Sequence, residues 1–90
     1  MKPEIRSITI DNRIENPASG LIEVTIEFVS GEKYWTRFTT PEYVKELLKA
    51  QLYINTNNFI IINELTEELI KEIILELDEQ NELLFSCKAY

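Results

Sequence analysis

Lys33, Trp35 and Arg37 alternate with Tyr34 and Thr36 in one short run, and Lys45 and Lys49 follow in the next element. Cations interleaved with aromatics can form a single-strand nucleic-acid platform, on which bases stack and phosphates meet positive charge. The same mixture is ordinary in a hairpin strand, because aromatics suit a pleated surface and scattered cations form weak surface ion pairs. Charge weighs against the first reading. Nine Lys and Arg against sixteen Asp and Glu give a net charge of −7, which opposes the counterion release that supplies most nucleic-acid affinity. A nucleic-acid-associated module acting through the Lys33 to Arg37 strand therefore stands only as an alternative.

A second constellation is acidic. Eight of the sixteen acids lie between Glu64 and Glu82, where they could imitate a phosphate backbone, making the chain an acidic decoy or inhibitor of a basic-site protein through Glu68, Glu72 and Glu79. Glu67 and Lys71 are instead spaced for a stabilising i,i+4 pair, the habit of a solvated helix face. No Asp-rich loop with a central Gly is present, so no metal is expected.

The residue inventory removes most catalytic chemistry. The chain has one cysteine, Cys87, and no histidine, so neither a Ser-His-Asp nor a Cys-His site can be assembled, and zinc would lack its usual ligands. Only carboxylates, Lys and Tyr remain for acid-base work. Ninety residues bury only about 60 to 65 percent of the surface their unfolded chain exposes, enough for one domain over 1–90 but not for two lobes with a cleft between them. The expectation is a non-enzymatic chain without a cofactor. Its unpaired thiol, flanked by Ser86 and Lys88, reads as an inert buried group in a reducing, cytoplasmic setting. The opening Met1 to Arg6 has no apolar leader pattern, and the longest strongly apolar run, Phe59 to Ile62, cannot span a bilayer.

These residues must be positioned by short elements. Ile8 and Ile10 alternate with Ser7 and Thr9 in a half-buried strand over 5–11. Polar turn chemistry over 11–20 leads to the clearest strand, 21–29, where Ile22, Val24, Ile26 and Phe28 alternate with Glu23, Thr25 and Glu27. A reversal at Ser30-Gly31-Glu32 returns the chain as a strand over 33–39. A three-residue loop pairs Phe28 with Tyr34 and points Trp35 and Arg37 to the outer face. A two-residue loop turns Trp35 inward but takes Lys33 and Arg37 with it, at the cost of burying charge.

Thr40-Pro41-Glu42 starts a helix running to about Leu52, with Val44, Leu47, Leu48 and Leu52 as its buried stripe. Phe59 to Ile62 reads as a central or doubly covered strand. Thr66 caps a second helix, with Leu65 and Ile70 as a hydrophobic staple and Leu69, Ile70, Ile73, Ile74 and Leu77 as its stripe. Leu75 falls outside that stripe, among acids. Leu83 to Cys87 reads as the last strand. The fold class is therefore α+β: a two-layer sandwich with a mixed five-stranded sheet, element order β-β-β-α-β-α-β, and two helices mainly on one face.

One sheet face is then left over, carrying Leu21, Glu23, Val29, Trp35 and Arg37, and Leu75 is left on the second helix beside Glu68, Glu72 and Glu79. Apolar residues beyond what one thin core needs suggest a protein partner or a second copy of the chain.

Overall fold

The computed structural model describes residues 4–55 and 58–90. The first three residues of the chain and two of the polar Asn55 to Asn58 cluster lie outside that range. Strands β1 (Ile5–Ile10), β2 (Leu21–Phe28) and β3 (Lys33–Thr39) precede helix α1 (Pro41–Ala50). Strand β4 (Phe59–Ile61), helix α2 (Glu67–Glu79), a 3-10 turn (Leu83–Ser86) and strand β5 (Lys88–Ala89) complete the chain. The class is α+β with a mixed five-stranded sheet, in the element order expected.

Antiparallel β1, β2 and β3 form the body of the sheet, and β4 joins the far edge of β3 in parallel. That edge is shared: β5 pairs antiparallel with Tyr34 and Trp35, while β4 pairs with Arg37 to Thr39. Thr36 lies between the two short strands and is fully buried. Its hydroxyl donates to the Ser86 carbonyl at 2.6 Å and lies 3.2 Å from that of Asn58. One side chain thus bridges the seam where two half-strands replace a whole one.

The hairpin from β2 to β3 has a three-residue loop, but it is Val29-Ser30-Gly31, one position earlier than expected. Gly31 has φ +93 and takes the left-handed place at the loop's end, where a residue without Cβ is least strained. The Gly31 N–H donates to the Phe28 carbonyl, and the Phe28 N–H donates to that of Glu32, both at 2.9 Å. Thr25 therefore opposes Trp35, and Ile26 opposes Tyr34. A slip of two residues in pairing leaves every side chain on its expected face, because the side-chain period is two. Val29 does change place: it sits exposed in the turn rather than on the sheet.

Ile22, Val24, Ile26, Phe28 and Phe38 are buried on one sheet face with Ile62, Leu65, Ile70, Ile74 and Leu83. Helix α2 covers that face. Its N-cap Thr66 accepts from the Leu69 N–H, and the Leu65–Ile70 staple is fully buried. Beyond the C-cap, Asn81 has φ 59; its N–H donates to the Asp78 carbonyl, and that of Glu82 donates to the Leu77 carbonyl. Those two bonds are the Schellman pattern that closes a helix.

Two apolar runs depart from expectation. Phe59–Ile61 is a three-residue strand at the sheet edge with Ile61 exposed, not a central one. Leu83 to Ser86 winds as a 3-10 turn with only Leu83 buried, and the strand pairing begins one residue after Cys87. Short apolar runs have no periodicity to separate strand from turn.

Candidate interaction surface

Helix α1 is well specified locally and poorly covered. Thr40 Oγ1 accepts from the Tyr43 N–H at 3.3 Å, Pro41 fills the first turn, and Lys49 sits in the last. The helix ends at Ala50, because Gln51 is already extended. None of its residues is buried. Its expected core stripe of Val44, Leu47, Leu48 and Leu52 is instead half or wholly open to solvent. Of that stripe, Val44, Leu48 and Leu52 line a groove with Phe59 and Ile61 of β4.

Phe59 and Ile61 pair with Arg37 and Thr39, so they belong to the same outer face as Trp35. The two helices are therefore divided: α2 lies on the core face, and α1 flanks the opposite face beside β4. The crossover from β3 to β4 carries α1 to that side. Tyr53 and Ile54 complete the groove, about 470 Å³ in volume. Leu52 is 96% exposed, Tyr53 70%, Ile61 56% and Leu48 46%.

The rest of the outer face is already engaged. Arg37 lies between two rings, its guanidinium carbon 5.4 Å from the Trp35 centroid and 4.7 Å from that of Phe59. One of its terminal nitrogens donates to Asn58 Oδ1 at 3.0 Å, while Nε is buried without a partner among the described residues. Lys88 reaches the Trp35 ring at 6.0 Å. Farther along, Thr25 Oγ1 donates to Asp11 Oδ2 at 2.6 Å and meets the Tyr90 hydroxyl at 2.8 Å. The Arg37 guanidinium is thus held within the fold by Trp35, Phe59 and Asn58 together.

The sequence-derived surface residues fall in three places. Leu21, Glu23, Trp35 and Arg37 share the outer sheet face, with Glu23 directly opposite Arg37. Glu68, Glu72, Leu75 and Glu79 form one exposed line on α2, where Leu75 is 53% exposed. Val29 stands apart in the hairpin loop. Glu67 and Lys71 make the expected pair at 3.4 Å. The groove residues Leu48, Leu52, Tyr53 and Ile61 were not among the expected surface. Helical spacing identified the stripe but assigned it to the core. The missed signal was the apolar Leu52-Tyr53-Ile54 continuing past the helix into polar sequence.

Among the described residues, Tyr34 and Cys87 have displaced pKa values. A hydrogen bond to the Glu32 carboxylate, with that group's negative charge, raises the Tyr34 hydroxyl. Burial pushes the Cys87 thiol up to about 11, away from the reactive thiolate. Among the described residues, no three Cys, Asp or Glu side chains form a metal-holding group, and no helix is long and apolar enough to cross a membrane. No family model matches the sequence, and no curated protein or solved structure is significantly similar to it.

Proposed function

We propose that this chain is a cytoplasmic, non-enzymatic protein-interaction module whose contact surface is the apolar groove between α1 and β4. The observation that carries this reading is an amphipathic helix with no buried residue beside an edge strand whose Ile61 is also exposed. Contiguous apolar surface costs free energy when left in water and is the usual mark of a surface that another molecule covers. Strand β4 also ends the strand order of the sheet on that side, and an edge strand can accept a further strand from a partner. The free, half-buried Cys87 suits a reducing compartment.

A photo-crosslinking residue at position 52, with position 72 on α2 as control, tests this in cells of the native host. A discrete adduct from position 52 is expected, competed by untagged wild-type chain and not by the Ile61→Glu variant. Equal labelling from both positions would mean that the groove is ordinary surface.

A further inference from the structure

We infer that the occupant of the α1–β4 groove is a second copy of the same chain, related by a two-fold axis; this inference rests on the interaction reading above and names its partner. Three observations support a like partner.

The first is shape. A two-fold interface uses one patch twice, so the patch must hold both a projection and a recess. Leu52 and Tyr53 stand out, 96% and 70% exposed, beside a recess lined by the half-buried Val44, Ile54 and Phe59. Each copy can place its projecting residues in the other's recess.

The second is charge. Residues 37–62 carry Arg37, Lys45 and Lys49 against Glu42 and Glu46, a local charge of +1, which leaves −8 for the remainder of a chain totalling −7. Two copies meeting through α2 would bring acidic lines together, whereas two meeting through the groove join the part of the chain free of net negative charge. Glu46 and Lys49 are already paired on α1 at 3.0 Å.

The third is area. Leu48, Leu52, Tyr53 and Ile61 together expose on the order of 500 Å² of largely apolar surface, the greater part of the roughly 800 Å² per partner of a standard interface. That size suits a reversible dimer rather than an obligate one.

Sedimentation equilibrium over a wide concentration range reads the result. Wild type should rise from the 10.6 kDa of one chain toward twice that mass. Leu52→Glu and Tyr53→Arg should each weaken association at least tenfold, while Leu75→Glu should leave it unchanged. Both groove side chains are largely in water, so the variants should fold, and far-UV circular dichroism checks that they do. A wild type that stays monomeric to millimolar concentration overturns the two-fold dimer, as does a dimer that survives both groove substitutions. The groove reading fails separately: a monomeric chain that still crosslinks another protein from position 52 keeps the module and loses only the second copy.

Discussion

Replacing Arg37 by Ala asks whether the outer sheet face is structural or available for binding. Two cation–π contacts, at 5.4 and 4.7 Å, contribute about 1 kcal/mol each at a half-buried site. The charge-assisted hydrogen bond to Asn58 adds about 1.5 kcal/mol. Against these stands relief of the buried, unpartnered Nε, about 1 kcal/mol, with a further gain of about 0.5 to 1 kcal/mol in side-chain freedom. The balance is a loss near 2 kcal/mol. In a chain of this size that lowers the melting temperature by roughly 10 °C. Arg37→Met keeps the apolar stem against the two rings but none of the charge-dependent contacts, so it should lose nearly as much. Urea unfolding at constant m-value measures both. A loss below about 0.5 kcal/mol for Arg37→Ala, well under the summed contacts, would refute the reasoning and leave Arg37 free to serve as a ligand-binding cation.

Other substitutions test separate parts of the fold. Thr36→Val preserves shape but strips the Ser86 carbonyl of its donor, so it should cost about 1 to 2 kcal/mol in urea unfolding. Asn81→Ala puts a less tolerant residue at φ 59 and should cost about 1 kcal/mol by the same measurement. Cys87, with its thiol pushed up to about 11, should react with iodoacetamide roughly tenfold or more slowly than a free cysteine at mildly alkaline pH. Its linkage has a definite sign. The unfolded thiol loses its proton near 9 and the folded one near 11, so the unfolded state binds fewer protons between those values. Stability should be insensitive to this group below that window and fall as pH rises through it, and the wild-type minus Cys87→Ser difference in urea midpoint isolates the effect.

Helix α2 was legible in the sequence because several local signals agree there. Thr66 caps it, Leu65 and Ile70 staple it, acids fill its first turn, and its stripe packs into the core of the sheet. The sheet's alternation was equally clear: even with the loop displaced by one residue, Trp35 and Arg37 kept their face. Helix α1 shows what periodicity omits. Spacing says that Val44, Leu47 and Leu48 share a side, but not what lies against that side. With the core face occupied by α2, the crossover to an edge strand carried this stripe to the other layer. The runs 59–62 and 83–87 were misread for a different reason: four or five apolar residues fit a buried strand, an edge strand or a 3-10 turn equally well.

The α1–β4 groove as a contact between copies is tested most directly by a nitrogen–proton NMR dilution series on the wild-type chain. The expected result is concentration-dependent amide shifts at Val44, Leu48, Leu52, Tyr53 and Ile61, with the α2 line around Leu75 unchanged. Shifts gathered instead around Leu75, or at the exposed Leu84 and Phe85, or no shifts at millimolar concentration, would contradict it.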